Sequence, residues 1–344
     1  MIRVGLNGFG RIGRAITRII SDRRDMKLVA VNDIDDDIEN LSYLIKYDST
    51  YGSFKKKIST FKNSLFINKN KINFYSKKNI INVPWKKNKV DILIEATGLS
   101  NNIKQTKNLT KNVVKKVLVT NSPNENIDFY MVIGANEKNY DPKKHHVIST
   151  SICDASALSP ILKLINDKYS IENGFITTLH SILSYQNLLD GSLKSVSNPS
   201  HSWKDYSLGR NSNISLIPKN TTAVKAVERV IPEIKGKLHG LSFRVPTNIV
   251  CGSDISIKVS SNCNKAKLLN ELNLVTKKYP KIYEIQSEKL VSIDHVGTSK
   301  SLIIDQNFIE VINSKFIKLV LWYDNEWGYS TRVLDIAKII HRKN

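Results

Sequence analysis

The chain begins with the segment Ile2-Arg3-Val4-Gly5-Leu6-Asn7-Gly8-Phe9-Gly10-Arg11-Ile12-Gly13. Its apolar residues up to Leu6 predict a buried strand, and the residues after Gly10 predict the start of a helix. The three glycines between them have the spacing G-x-G-x-x-G. At a strand-to-helix turn, this spacing lets backbone amides and the helix N-terminus approach a pyrophosphate. The segment therefore predicts a dinucleotide-binding turn.

A carboxylate ends the second strand pattern, Lys27 to Asp33, at roughly the 20-residue separation typical of this turn. There Asp33 can accept hydrogen bonds from the ribose 2′-hydroxyl of an adenosine. Asp33 and the following acids at 35–37 would repel the additional phosphate of NADP, so the sequence favours NAD. The alternative interpretation is that the glycine-rich turn only packs a strand against a helix.

Strand-like and helix-like stretches alternate in the first half, which is typical of a parallel sheet covered by helices. Its strands are predicted at Arg3 to Asn7, Lys27 to Asp33, Val90 to Thr97, Val114 to Thr120, Met131 to Ala135 and His146 to Ser149. Longer strands are predicted in the second half, at Gly174 to Ile182, Leu241 to Pro246, Gly252 to Val259, Ser301 to Asp305, Phe308 to Ile312 and Phe316 to Tyr323. We therefore expect an α/β fold, a Rossmann-type dinucleotide-binding domain plus a sheet-rich α+β catalytic domain, with a compact junction near Ser151.

Length and composition agree with this organisation. The chain has 344 residues, of which 41% are hydrophobic and 24% charged, as in ordinary globular proteins of two domains. No apolar run is long enough to span a membrane and no signal-peptide layout is visible, so we expect a cytoplasmic protein without a membrane partner. The cysteines, Cys153, Cys251 and Cys263, have no metal-type spacing, so reduced thiols and no bound metal are expected.

The charge of the chain is strongly basic, since 52 basic and 31 acidic residues give a net charge of +21. Such a charge favours polyanions, and the lysine-rich segment from Lys55 to Lys89, predicted as exposed hairpins, would offer a surface for them. The competing interpretation is that abundant Lys, Asn and Ile reflect AT-rich codons, because no nucleic-acid module is visible. A nucleic-acid partner is kept as an alternative.

Cys153 and His180 are the residues that suggest covalent chemistry. Apolar residues at Leu158, Ile161, Leu162 and Ile165 predict a helix that begins close to Cys153. A helix N-terminus stabilises a thiolate, and His180, at the end of the next strand pattern, could accept the thiol proton. The residues alone leave open whether the two are a catalytic pair or only packing residues.

Three longer segments resemble the glyceraldehyde-3-phosphate dehydrogenase family: residues 4–14, the stretch Lys46-Tyr47-Asp48-Ser49-Thr50-Tyr51-Gly52, and Trp322-Tyr323-Asp324-Asn325-Glu326-Trp327-Gly328-Tyr329. Shorter matches, Glu95 to Gly98, Thr177 to His180, Gly236 to Leu238 and Phe243 to Thr247, extend the resemblance over nearly the whole chain. It implies an NAD-dependent aldehyde dehydrogenase that forms homotetramers. It also implies an NAD-binding domain of residues 1–151, completed by residues 322–344, and a catalytic domain of residues 152–321.

The resemblance also implies roles for individual residues. Cys153 attacks a small, phosphorylated aldehyde and forms a thiohemiacetal and then a thioester, while His180 takes the thiol proton and stabilises the oxyanion. Asn325 holds the nicotinamide carboxamide, and Arg11 and Ile12 contact the pyrophosphate. The other cofactor contacts are expected from Asn7, Gly8, Gly10, Gly13, Asp33, Thr97, Gly98, Thr120 and Tyr329.

The substrate-binding segments depart from the family. Where its nucleophile segment reads Ser-Cys-Thr-Thr-Asn-Cys, this chain reads Ile152-Cys153-Asp154-Ala155-Ser156-Ala157. The charge of Asp154, at about 4 Å from another anion, costs on the order of 1 to 4 kcal/mol. A second phosphate-binding stretch, Ser-Ser-Thr-Gly in the family, appears as Lys219-Asn220-Thr221-Thr222, and Tyr185 stands where an Asp is usual. The substrate-binding candidates are Asp154, Arg210, Thr221 and Arg244, with Lys204 and Lys219 as further cations.

Two alternatives to a phosphorylating dehydrogenase remain. In the first alternative, water replaces phosphate in releasing the acyl group, as in the similar erythrose-4-phosphate dehydrogenases. The other alternative is a catalytically weakened member that binds nucleic acid or protein. The S-shaped loop of the family, here about Gly191 to Pro218, is longer than usual, which bears on the expected tetramer.

Overall fold

The computed structural model describes residues 1–192 and 205–343. Two compact units are formed, one by Met1–Ser156 with Tyr329–Asn344 and the other by Ala157–Gly328. The described residues contain seven α-helices: α1 Arg11–Ile20, α2 Ile38–Lys46, α3 Ser100–Asn112, α4 Cys153–Tyr169, α5 Ala223–Val230, α6 Lys265–Lys278 and α7 Trp327–Arg342. The boundaries between the units fall within α4 and near the start of α7.

A nine-stranded sheet forms the centre of the first unit, in the order β10-β11-β9-β8-β1-β2-β7-β6-β5. The strands of this unit are β1 Ile2–Asn7, β2 Met26–Asn32, β3 Tyr47–Asp48, β4 Gly52–Ser53, β5 Ile58–Thr60, β6 Ser64–Ile67, β7 Asn70–Tyr75, β8 Ile92–Glu95, β9 Lys116–Val119, β10 Phe129–Tyr130 and β11 Val147–Ser149. Strand β1 pairs in parallel with both β2 and β8, so the strand order reverses at β1. In open α/β sheets, ligands bind beyond the carboxyl ends of the strands at such a point.

Both faces of this sheet are buried. On one face, Val4 and Leu6 of β1 belong to a cluster with Ile16 of α1 and Val333 of α7. The cluster on the other face joins Leu93 of β8 and Val117 of β9 to Trp85 and to Ile103 of α3. Helices on both faces explain why these strands are nearly continuous apolar runs.

The strand expected from Met131 to Ala135 is wrong. Strand β10 ends at Tyr130, and a turn follows it. The side chain of Asn136 accepts a hydrogen bond from the backbone N–H of Val132 at 2.9 Å and donates to the carbonyl of Tyr130 at 2.7 Å. These local bonds replace the sheet partners that an extended segment would need.

The second unit contains an eight-stranded sheet of order β13-β14-β12-β15-β19-β17-β16, with β18 paired to β19. Its strands are β12 Ile171–His180, β13 Ile217–Asn220, β14 Leu238–Arg244, β15 Cys251–Val259, β16 Tyr283–Gln286, β17 Leu302–Asp305, β18 Glu310–Ile312 and β19 Phe316–Tyr323. Side chains of β12 alternate between the two faces, so that Thr178 and His180 are buried while Phe175 and Leu179 are exposed. Among the helices in the described ranges, none combines the length and apolar character that a membrane crossing requires.

Candidate active site

In the glycine turn at residues 8–13, neighbouring backbone approaches so closely that two positions require glycine. Gly8 has a φ of +98°, and a Cβ there would lie 2.8 Å from the backbone of Ala96. A Cβ on Gly13 would lie 2.2 Å from the carbonyl oxygen of Gly8. At Gly10, by contrast, a Cβ would meet nothing within 4 Å, so this backbone faces open space.

The first turn of α1 is an anion-binding terminus. Gly10 is its N-cap and provides no side chain to cap the first amides of the helix. Those N–H groups lack partners within the helix and carry its partial positive charge. This arrangement, with open space at Gly10, fits the pyrophosphate of a dinucleotide.

Asp33 lies directly beside this turn. Its Oδ2 accepts a hydrogen bond from the backbone N–H of Phe9 at 2.6 Å, and its Oδ1 accepts one from Asp35 at 3.0 Å. These bonds hold the carboxylate at the carboxyl end of β2. Each oxygen retains a second acceptor position, which suits a ribose hydroxyl.

A buried polar network connects the carboxyl ends of β1, β2 and β8. The amide nitrogen of Asn7 donates to Glu95 at 2.5 Å, and Asn32 donates to Asn7 at 2.7 Å. Thr97 donates to Glu95 through its N–H, at 2.8 Å, and through its hydroxyl. Burial raises the pKa of Glu95 to about 7. The side chains of Asn7 and Thr97 are therefore engaged in shaping the edge of the sheet.

Two further residues of the expected cofactor site lie beside this network. Thr120 donates to the carbonyl of Glu95 through its N–H, at 3.0 Å, and its hydroxyl, at 3.2 Å. Gly98 is exposed and has a φ of +69°, a conformation that favours glycine. Both residues thus lie at the carboxyl edge of the sheet where the nucleotide is expected.

The guanidinium of Arg11 forms an ion pair with Asp48, with 2.6 Å between Nη1 and Oδ2. Burial acts to raise the pKa of Asp48, but hydrogen bonds from the Tyr51 backbone and the charge of Arg11 leave the pKa below its usual value. Since this charge is already paired, the backbone N–H groups of Arg11 and Ile12 are the better groups for a pyrophosphate.

Cys153 is the first residue of α4 and is half-buried. Its Sγ lies 3.7 Å from Oδ1 of Asp154, a residue that is only 7% exposed. The other two cysteines, Cys251 and Cys263, are buried. Cys153 is therefore the most accessible thiol of the chain.

Tyr329 of α7 holds the backbone that precedes this thiol. Its hydroxyl donates to the carbonyl of Ser151 at 3.0 Å and lies 2.8 Å from Oγ1 of Thr150. Ser151 has a φ of +60°, which is uncommon for a residue with a side chain. Burial raises the pKa of the Tyr329 phenol, so the hydroxyl stays protonated and keeps this hydrogen bond.

His180, in the second unit, ends β12 and is 4% exposed. Its Nδ1 lies 2.8 Å from the carbonyl oxygen of Ser181. Because a carbonyl only accepts, Nδ1 carries the proton, so Nε2 is the nitrogen that can accept a proton when the ring is neutral. This tautomer is the one that a general base requires.

Arg244 ends β14 opposite His180 in the sheet register and is 8% exposed. Its Nη2 donates to the hydroxyl of Tyr185 at 3.5 Å. The Nε and Nη1 atoms of Arg244 are buried without a hydrogen-bond partner among the described residues. A buried cation with unmet donors indicates a place for an anion.

Lys219 is a second cation close to Arg244 in the second unit. Burial, together with the charge of Arg244, lowers the pKa of Lys219 to about 8. Its Nζ lies 5.9 Å from the ring centroid of Tyr185. Lys219 and Tyr185, both departures from the family pattern, thus accompany Arg244.

The remaining predicted residues of the second unit have structural partners. Oγ1 of Thr221 accepts from the N–H of Ala223 at the start of α5, and Arg210 forms an exposed ion pair with Asp190 at 3.0 Å. Oδ1 of Asn325 accepts from Ser181 and Val250, which orients its amide. Lys204, together with His201 and Trp203 of the same loop, lies outside the described residues.

Three residues that the sequence analysis did not assign to the site bind predicted site residues. Glu95 binds Asn7 and Thr97, and Asp48 binds Arg11. Ser181 binds His180 and Asn325. Only the position of Glu95, directly after the apolar run of β8, offered a signal in the sequence: a carboxylate at the end of a buried strand.

Comparisons with known proteins show which family the chain is similar to. The family model for the NAD-binding domain of glyceraldehyde 3-phosphate dehydrogenase matches residues 2–103, and the model for its C-terminal domain matches residues 152–325. Glyceraldehyde-3-phosphate dehydrogenase 1 of Kluyveromyces marxianus is 37% identical over 343 residues, covering 98% of this chain and 99% of the relative. Glyceraldehyde-3-phosphate dehydrogenase 2 of a Nostoc species is 40% identical over 354 residues, covering 100% and 99%. A chloroplastic glyceraldehyde-3-phosphate dehydrogenase of Arabidopsis thaliana is 37% identical over 338 residues, covering 98% and 77%.

Two glycine substitutions should separate cofactor binding from folding. Gly13→Ala places a Cβ 2.2 Å from the Gly8 carbonyl, so it should lower the stability by at least about 2 kcal/mol. Gly10→Ala should leave the melting temperature unchanged, because its Cβ meets no protein atom within 4 Å. It should nevertheless weaken NAD binding at least about tenfold, since a Cβ there obstructs the pyrophosphate. Thermal denaturation and calorimetric titration with NAD measure both effects. Full affinity in Gly10→Ala would contradict this placement of the cofactor.

Proposed function

Because the chain belongs to the glyceraldehyde-3-phosphate dehydrogenase family, whose members oxidise an aldehyde with NAD, we propose that it oxidises a small phosphorylated aldehyde through a thioester on Cys153. The observation that carries the substrate class is the buried guanidinium of Arg244, with two nitrogens lacking partners among the described residues. An anionic group on the substrate would supply the missing acceptors.

Cys153 is the proposed nucleophile. Its sulfur attacks the aldehyde carbon to give a thiohemiacetal, and oxidation of this adduct leaves a thioester on the same sulfur. Its position in the first turn of α4 favours the thiolate through the helix dipole. The adjacent carboxylate of Asp154 opposes that effect, so the thiol needs a base to remove its proton.

His180 is the proposed base. Its Nδ1 is committed to the Ser181 carbonyl, which leaves Nε2 to accept the proton of the thiol. Once protonated, the imidazolium can donate to the oxyanion of the thiohemiacetal. Bound NAD supplies the acceptor for the hydride that leaves the substrate carbon. Asn325, oriented by Ser181 and Val250, would hold the carboxamide of the cofactor.

The first test follows NADH with purified protein, NAD and matched pairs of aldehydes, such as glyceraldehyde 3-phosphate and glyceraldehyde. The phosphorylated aldehyde should have the higher kcat/KM, and Arg244→Gln should remove most of that preference. Cys153→Ala should lower activity at least about 1,000-fold. Cys263→Ala, at a buried cysteine without a proposed catalytic role, is the matched control and should stay active. Full activity in Cys153→Ala would exclude the covalent mechanism.

Anion binding should also depend on pH through Lys219, whose pKa is about 8. Below this pH the side chain carries a positive charge, and above it the charge is lost, so kcat/KM for a phosphorylated aldehyde should fall as pH rises from 7 to 9. Lys219→Arg should abolish that part of the fall, because a guanidinium stays charged throughout this range. The unphosphorylated aldehyde is the control. An identical decline in wild type and Lys219→Arg would contradict this role.

We also propose that the protein is a homotetramer. In support, β12 and β14 of the second unit present an outward apolar face, where Phe175 is 69% exposed and Leu179 and Leu241 are each 40% exposed. An exposed apolar face of this kind is typical of a protein interface. Light scattering should give about four times the 39.0 kDa chain mass. Leu241→Glu should reduce that mass, and a wild-type monomer would contradict the proposal.

A further inference from the structure

We propose that Asp154 is the general base that activates water to hydrolyse the thioester on Cys153, so that the enzyme releases a free carboxylic acid. This inference rests on the proposed covalent function and adds to it the chemistry of the release step. It assigns a catalytic role to a residue at which this chain departs from the family pattern.

The geometry places the base where the reaction needs one. Cys153 and Asp154 are the first two residues of α4, and Oδ1 lies 3.7 Å from Sγ. In the thioester, the carbonyl carbon is bonded directly to Sγ. A water molecule hydrogen-bonded to Oδ1 therefore lies within reach of that carbon, which is the distance condition for general-base catalysis.

The same carboxylate disfavours inorganic phosphate as the acceptor of the acyl group. Repulsion between unit charges about 4 Å apart weakens binding by about 5-fold in water and by up to about 1,000-fold near a protein surface. Asp154 and Ala155 stand at the two threonine positions of the family's nucleophile segment, so neither offers a side-chain hydroxyl to an incoming phosphate. Water carries no charge and pays no such cost, so Asp154 selects water over phosphate.

The step balances without an oxidant or reductant. Asp154 takes one proton from water as the oxygen attacks the thioester carbonyl, and a tetrahedral intermediate forms. The C–S bond then breaks, and the sulfur leaves as a thiolate that recovers the proton from Asp154. The products are one carboxylic acid and the free thiol of Cys153, and one water molecule is consumed.

The experiment compares wild type with Asp154→Asn and Asp154→Thr in rapid-mixing kinetics, using glyceraldehyde 3-phosphate and erythrose 4-phosphate with NAD. Asp167→Asn is the matched control, because this carboxylate is also on α4 but is 51% exposed and paired with Lys163. In wild type and the control, NADH formation should continue without phosphate. The product should be the free carboxylic acid, with no acyl phosphate detectable by ³¹P NMR.

Asp154→Asn should give a burst of about one NADH per active site and then turn over at least about 100-fold more slowly, because acylation proceeds while water is no longer activated. Asp154→Thr, which removes the charge and adds a hydroxyl, should gain a requirement for phosphate and form an acyl phosphate detectable by ³¹P NMR.

Two results would overturn the role of Asp154 alone. One is wild-type steady-state turnover in Asp154→Asn, and the other is a burst in wild type that stops unless phosphate is added. If neither aldehyde gives any NADH in wild type, the proposed covalent function fails as well. The formation of NADH thus separates a failure of the release step from a failure of the whole mechanism.

Discussion

The hydrogen bond from the Tyr329 hydroxyl to the Ser151 carbonyl is the contact on which the position of the Cys153 thiol depends. Ser151 has a left-handed backbone conformation that a serine adopts only at a cost, so this conformation needs support from its surroundings. Tyr329, at the start of the C-terminal helix, provides it. The turn at Ser151 directs the chain from β11 into α4, and the first residue of that helix is Cys153.

Charge is arranged differently in the two units. In the first unit, the charge of Arg11 in the glycine turn is paired with Asp48, so the backbone amides of α1 would serve the cofactor. In the second unit, Arg244 is buried with donors that find no partner among the described residues, and burial, together with the charge of Arg244, lowers the pKa of Lys219. A substrate anion would accept hydrogen bonds from Arg244 and would favour the charged form of Lys219. Cofactor affinity and substrate affinity should therefore respond differently to pH.

The sequence predicts the parts of the site that depend on local spacing. The glycines at 8, 10 and 13 and the carboxylate of Asp33 are recognisable because a strand-to-helix turn fixes where they lie. Cys153 was expected near a helix start for the same reason, since the apolar spacing after it indicated the helix. The partners that these residues acquire come from distant parts of the chain, and spacing carries no information about them.

Several contacts of the predicted residues come from such partners, which the sequence pattern does not show. Tyr329 was expected to contact the cofactor, and its hydroxyl binds the backbone before Cys153. The amide of Asn7 binds Glu95 across the sheet, and Arg210 pairs with Asp190 at the surface. The segment Met131 to Ala135 has the composition of a strand, but the side chain of Asn136 holds it as a turn. For this segment, local hydrogen bonds outweighed the pattern of the sequence.

The central claim, that the sulfur of Cys153 becomes acylated during oxidation, is tested most directly by acid quenching during the first turnover, followed by peptide mass spectrometry. We expect the mass of the substrate acyl group on the peptide that contains Cys153, with the peptides of Cys251 and Cys263 unmodified. An unmodified Cys153 while NADH has already formed, or an acyl group on one of the other two cysteines, would contradict the account.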